Sequence, residues 1–229
     1  MSSSTLNTKI EASSTKMLIA MVGIGIVCAL LIVFTYEQTL PIIEKNKKAA
    51  LEKAIFKVVP GISSTRTFQL TNANELIIAD GKDEKAKLVY AGYNKQNELV
   101  GVALEGAGQG YADIIKVLYG YNVNTQKIIG FYVLETKETP GLGDKIEKDQ
   151  HFLDNFKALD AELTEDGTAL KNKVITVKNG TKVSAWEIDG ITGATISSRA
   201  IGDLMGESAQ FWLPIIQKNK DKLIMNEVK

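Results

Sequence analysis

One cysteine and one histidine are the only thiol and the only imidazole that this 229-residue chain provides. A single thiol cannot close an internal disulfide, hold an iron–sulfur cluster or complete a haem-attachment or structural zinc motif. Cys28 sits in the most apolar stretch and reads as a small, inert, lipid-facing side chain. Any Ser/His or Cys/His couple would have to use His151, which lies among Lys148, Asp149 and Asp154 and reads as a surface histidine on a solvated helix. No Gly-x-Ser-x-Gly elbow is present either, so a hydrolase is a poor fit. Neither sign of charge is in excess: 27 basic and 27 acidic residues cancel, and arginine occurs only as Arg66 and Arg199. With no cationic surplus to grip a polyphosphate, nucleic acid is not an expected partner. The 45% hydrophobic content suffices for a buried core, and the length suits one domain with an appendage.

The appendage is visible at once. Met17 to Tyr36 is a run without a charged residue, and as a helix it reaches about 30 Å, the thickness of a bilayer's hydrocarbon core. The sequence therefore predicts a tail at 1–16 and a single transmembrane helix at 17–36. A cleaved signal peptide is the rival reading, but the run ends Val33-Phe34-Thr35-Tyr36-Glu37 rather than in small residues. Lys9 and Lys16 precede the span while Lys45, Lys47, Lys48 and Lys53 follow it. Taken alone, that count places the following domain on the cytoplasmic side.

Beyond the span, Ile43, Ala50, Leu51, Ala54, Ile55 and Val58 fall near one helical stripe, predicting an amphipathic stalk at 37–61 that Pro60-Gly61 ends. Residues 62–229 form the remaining domain. Strand-like runs are expected at 76–79, 87–93, 98–105, 114–121, 127–135, 174–177 and 181–188, the last two joined as a hairpin through Lys178-Asn179-Gly180. Tyr93-Asn94 before Leu99-Val100-Gly101-Val102 resembles Tyr121-Asn122 before Ile128-Ile129-Gly130-Phe131, which suggests two similar hairpins. A charged, helix-like insertion over 144–161 follows. A terminal helix carrying Ile201, Leu204, Met205, Trp212 and Ile215 is expected to bend or stop at Pro214. The class is α+β, with a largely antiparallel sheet and flanking helices.

Three segments could carry chemistry. Gly106, Gly108 and Gly110 fall short of a dinucleotide fingerprint because Tyr111 stands where its third glycine belongs, and they read as glycines allowing a turn between strands. In Glu138-Thr139-Pro140-Gly141-Leu142-Gly143, two glycines flank an exposed-looking leucine, an arrangement that suits either a plain turn or close approach of backbone to a flat ligand. In Asp189-Gly190-Ile191-Thr192-Gly193-Ala194-Thr195-Ile196-Ser197-Ser198, small and hydroxyl-bearing residues crowd a helix entrance. Free backbone N–H groups and the helix dipole would favour a phosphate there, while Ser197 or Ser198 could equally be an ordinary N-cap.

The spacing Asp189-x-x-Thr192-Gly193-Ala194-Thr195-x-Ser197 resembles the flavinylation motif read by FMN transferases, and Glu138 to Ile146 resembles the second signature of the same FMN-binding domain. The family includes the G subunit of Rnf electron-transport complexes and the C subunit of sodium-translocating NADH:quinone reductases; the chain's compact length and Gly143-Asp144-Lys145-Ile146 favour the Rnf type. Thr192 stands where serine is also frequent, a change that keeps the hydroxyl. The resemblance implies FMN joined by a phosphoester to Thr195, with Thr192, Gly193, Ala194 and Ser197 at the phosphate end. Glu138, Thr139, Gly141, Leu142 and Gly143 would border the isoalloxazine, and Asp189 would serve transferase recognition. Neither a catalytic residue nor a metal site is expected. The implied protein is an electron carrier of a bacterial or archaeal cell membrane, working between ferredoxin and NAD with Na+ or H+ export. Its implied partners are the other Rnf-type membrane and redox subunits, the FMN transferase and the lipid bilayer. Against the lysine count, the family places the domain on the extracytoplasmic face. A non-catalytic, membrane-anchored binding or assembly module with Thr195 as an unmodified cap is the alternative from another class.

Overall fold

The computed structural model describes residues 14–81 and 86–224, so positions 1–13 of the expected tail lie outside the described residues. The chain divides into two compact units, residues 1–49 and 50–229. Helix α1 (Ser14–Val58) contains Pro41 without ending there. Its most apolar 18-residue window has a mean hydropathy of 3.0, and none of that window is buried within the protein. A helix apolar on every side and uncovered by protein has its hydrogen bonds satisfied internally and its side chains suited to lipid; α1 is long and apolar enough to cross a membrane.

In the second unit, an antiparallel sheet comprises β1 (Ser64–Leu70), β2 (Leu76–Ile78), β3 (Leu88–Tyr93), β4 (Leu99–Gln109), β5 (Ile114–Asn122), β6 (Lys127–Glu135) and β7 (Leu159–Asp160). Its order is β2-β1-β3-β4-β5-β6-β7. The long hairpins β3–β4 and β5–β6 use the same turn chemistry. Asn94 Oδ1 accepts from the amides of Gln96 and Glu98, and Asn122 Oδ1 accepts from those of Asn124 and Thr125. β1, absent from the sequence reading, carries only one buried side chain, Phe68, so its alternation is weak.

Alternation along the strands gives the sheet two buried faces. On one, the last turns of α1 seat Ala54, Ile55 and Val58, with Val59, against Tyr90, Ala103 and Leu118. Two glycines paired across β5 and β6, Gly120 and Gly130, make room for the chain there. A Cβ on Gly120 would lie 1.9 Å from the Val58 carbonyl oxygen, and one on Gly130 would lie 2.3 Å from it. Only hydrogen fits between backbone and backbone at such distances.

On the other face lies helix α4 (Thr195–Lys218), burying Ile201, Leu204, Met205, Trp212, Leu213 and Ile216; the short α5 (Lys220–Leu223) follows. Each such aliphatic side chain contributes about 1.5–3 kcal/mol by leaving water. Pro214 does not end α4, because buried residues on both sides hold the helix through it. Gly106 and Gly108 are not turn residues: they lie within β4, where an added Cβ would come 3.2 Å and 2.8 Å from Leu204. From the helix side, Gly202 and Gly206 bring α4 closer still, to Thr176 and to the Val174 carbonyl, where an added Cβ would stand 2.2 Å and 2.7 Å away. The helix is thereby gripped from two directions, and the position of its first turn is set.

The charged segment after residue 144 is not one helix. It breaks into α2 (Lys145–Lys148), α3 (Gln150–Asp154) and a 3₁₀ turn (Asn155–Lys157), because the Asp149 carboxylate restarts the chain by accepting from the amides of His151 and Phe152. Phe156 stacks on Phe131 of the sheet with ring centroids 4.2 Å apart. The expected hairpin at 174–188 is also corrected: β8 (Ile175–Val177) and β9 (Glu187–Asp189) pair in parallel. The Lys178–Thr181 turn does form, with Thr181 N–H bonded to Lys178 O at 2.9 Å, but a strand does not follow it. The amides of Val183 and Ser184 bond to the Glu187 carboxylate instead, and pairing begins only at Glu187.

Candidate functional site

Glu138 is the point at which the candidate segments meet. It is 5% exposed. One carboxylate oxygen accepts from the Ala112 amide at 2.9 Å, tying in the β4–β5 loop; the other accepts from the Ser197 hydroxyl, tying in the first turn of α4. Gly110 and Gly143 close over it, since a Cβ at either would stand 2.5 Å from a Glu138 oxygen. The segments 138–143 and 192–197 are thus joined directly, through Glu138, Gly143 and Ser197.

Around this hub the loops are stapled locally. Lys137 Nζ lies 2.5 Å from Asp113 Oδ2, and the lysine holds the Asp113 carboxyl below its ordinary pKa. Asp144 accepts from the Gly141 amide at 2.7 Å and pairs with Lys148, which likewise holds its carboxyl below the ordinary value. Thr139 O closes the turn by accepting from the amides of Leu142 and Asp144. Burial pushes the Glu147 carboxyl up.

The helix entrance carries no side-chain cap. Ala194 is the N-cap residue, so neither Ser197 nor Ser198 caps the helix. Ser198 Oγ accepts from the Ile191 amide at 3.3 Å and donates to Thr195 O at 3.2 Å. The first-turn amides of Thr195, Ile196 and Ser197 have no intrahelical acceptor by geometry and converge where the helix dipole is positive. Thr192, Gly193 and Thr195 are exposed, Ala194 and Ser197 are buried, and Gly193 has φ +82° with no atom within 4 Å of an added Cβ. An exposed hydroxyl, open space and free amides at the head of a 24-residue helix fit a phosphate ester.

Asp189 is buried, at 6% exposure. Its Oδ1 accepts from the Gly180 amide at 2.7 Å and its Oδ2 lies 3.1 Å from His151 Nε2. His151 is on the surface as expected, but it reaches a buried acid. No cluster of potential metal ligands occurs among the described residues.

Residues 110–210 match the family model for the FMN-binding domain. The G subunit of an ion-translocating oxidoreductase complex from Methanosarcina acetivorans is 28% identical over 86% of this chain and 93% of its own length. The G subunit of the Na(+)-translocating ferredoxin:NAD(+) oxidoreductase complex from Acetobacterium woodii is 27% identical over 82% and 86%. Over most of its length the chain is similar to G subunits of ion-translocating oxidoreductase complexes. In fold it is similar to Shewanella oneidensis NqrC, with a TM-score of 0.58 and 17% identity over 78% of this chain and 98% of that one.

Sequence reasoning missed two residues beside the Glu138 hub. Tyr111, Leu142 and Ile196 are 67%, 53% and 56% exposed, and each adjoins a residue held at Glu138: Ala112, Gly143 and Ser197. Three large apolar side chains next in sequence to that hub are therefore left exposed. Leu142 was legible from its flanking glycines; Ile196 lies inside the 189–197 motif at a position the resemblance leaves open, and Tyr111 follows Gly110, outside both motifs.

Proposed function

We propose that this chain is the membrane-anchored, electron-carrying subunit of a complex that transfers electrons between ferredoxin and NAD and couples the transfer to Na+ or H+ translocation. The observation that carries the reading is the exposed Thr195 at the uncapped head of α4, inside the segment that matches the FMN-binding domain. In this reading FMN is esterified to Thr195, and the first-turn amides with Thr192 hold its phosphate. Ala194 and Gly193 keep side-chain bulk from that oxygen. Ser197, bonded to Glu138, holds the loop 139–143 against the helix head, so that Leu142 and its neighbours border the ring.

The bound FMN supplies the redox chemistry. The chain's residues fix its position, exclude water from one side of it and keep it tethered where a dissociating cofactor would be lost. The isolated chain performs no turnover; the other members of the complex supply and remove electrons. The soluble unit faces the extracytoplasmic side, with the bilayer holding α1.

The sequence relationship favours the G-subunit reading over an NqrC of the NADH:quinone reductase type, to which the likeness is one of fold. The decisive experiment is spectroscopic: the full chain, purified in detergent after co-expression with an FMN transferase, keeps a flavin spectrum through denaturation and filtration. A colourless chain under those conditions leaves only an anchored binding module. Protease digestion of the soluble unit in vesicles of known orientation assigns the side; cutting from the cytoplasmic face alone reverses it.

A further inference from the structure

The three residues leading to the acceptor turn are held at every backbone polar group. Asp189 N–H donates to Asn155 Oδ1 at 3.0 Å, and Asp189 O accepts from Asn155 Nδ2 at 3.3 Å. Gly190 N–H donates to Val177 O at 3.0 Å, and Gly190 O accepts from Asn179 Nδ2 at 2.8 Å. Ile191 N–H donates to Ser198 Oγ, and Ile191 O accepts from the Ala194 amide at 3.1 Å. Immediately beyond, Thr192 and Gly193 are exposed, as are Thr195 and Ile196. A rigid approach thus ends in an open acceptor surface.

Asn155 is central to this clamp. It is 7% exposed, lies outside both motifs, and pairs with the N–H and C=O of Asp189 as a neighbouring strand would. The same amide is fixed in turn: Nδ2 also donates to Phe152 O at 2.9 Å, and Oδ1 also accepts from Lys182 Nζ at 2.9 Å. The Asp189 carboxylate, itself buried, has both oxygens engaged, one by the Gly180 amide and the other by His151. A side chain so engaged shapes the loop and offers little for a second protein to touch.

We propose that Asn155 is a positioning residue for flavin transfer: with Asp189 it clamps the backbone that presents Thr195, and the transferase meets the exposed 192–196 surface, not the Asp189 carboxylate. The inference rests on Thr195 being the acceptor. In that step Thr195 Oγ bonds to the FMN phosphorus of a pyrophosphate-activated flavin such as FAD. The P–O–P bond breaks, AMP leaves with the electron pair, and the hydroxyl proton passes to solvent; nothing is oxidised or reduced. Misplacing the attacking oxygen by an ångström costs such a step up to about a hundredfold, so the backbone that places Thr195 governs its rate.

The test measures initial rates of flavin incorporation into the purified apo full chain by an FMN transferase with FAD, read by intact mass. Asn155→Ala lowers the transferase's kcat by about tenfold or more, with KM for the chain nearly unchanged. Asn179→Ala, an exposed site that releases only the Gly190 carbonyl, lowers it by a few-fold without moving the unfolding midpoint. Leu76→Ala, a buried change in β2, lowers the midpoint but leaves the rate alone. Wild-type kcat in a folded Asn155→Ala overturns the proposal, as does a loss in Leu76→Ala equal to that in Asn155→Ala. Should Asn155→Ala fail to fold, Asn179→Ala decides alone. Incorporation that persists in Thr195→Ala removes the acceptor reading itself, a result distinct from any of these.

Discussion

The Ser197 hydroxyl donates to the buried Glu138 carboxylate, fastening the first turn of α4 to the loop that follows β6. Two segments whose linked residues lie 59 positions apart in sequence thereby become one site, and the remaining Glu138 oxygen brings in a third through Ala112.

Removing this carboxylate has a defined cost. Glu138→Ala leaves the Ala112 amide and the Ser197 hydroxyl without their acceptor; the buried, unpaired hydroxyl alone costs about 1–3 kcal/mol. Urea unfolding of the full chain in detergent should show the loss. Glu138→Gln, which keeps an acceptor oxygen, should retain part of it.

Close backbone approach makes Gly120 a severe test of how the end of α1 seats on the sheet. Gly120→Ala places a methyl against the Val58 carbonyl, and the displaced backbone costs about 3 kcal/mol or more. Gly108→Ala meets only the Leu204 side chain, so its unfolding midpoint should fall less. Equal loss in the two variants would count against this seating.

The apolar side chains around the hub predict spectral effects without loss of the cofactor. Tyr111→Ala and Leu142→Ala in the flavin-loaded chain should keep the wild-type flavin content by mass while shifting the absorption bands, fluorescence yield or midpoint potential. Unchanged optical and redox properties in both variants would place the ring elsewhere.

Acid should loosen the loops before it unfolds the core. Asp113 and Asp144 have carboxyl pKa values depressed by Lys137 and Lys148. The stabilisation from each is present above the unfolded-state value and is lost as pH falls through the lower folded value. The lysine of each pair is exposed, so the global effect is small. Carboxyl-carbon NMR should find both groups titrating below ordinary aspartates, and Lys137→Ala should return Asp113 toward the normal range.

Much of this was legible in local chemistry, because hydrophobic period and turn residues act over a few positions. The apolar run of α1, the strands β3 to β6 and the two Asn-led hairpins follow from such patterns. The features that sequence missed depend on distant partners. Asn179-Gly180 made its turn, yet whether the next residues paired was decided by Glu187 capturing two amides. Pro214 lacks a donor, yet its buried neighbours carry the helix past it. Gly106 and Gly108 looked like turn residues because nothing nearby in sequence shows Leu204 lying against them. His151 and Asn155 fell in a segment read as a solvated insertion, and only folding brings them to Asp189.

The central claim concerns a single hydroxyl, and peptide mass spectrometry of the full chain co-expressed with an FMN transferase examines it directly. The wild-type peptide containing Thr195 should carry one FMN through a phosphoester, and Thr195→Ala should carry none while folding normally. A bare Thr195 peptide beside a modified peptide elsewhere, or covalent flavin retained in Thr195→Ala, would contradict the account.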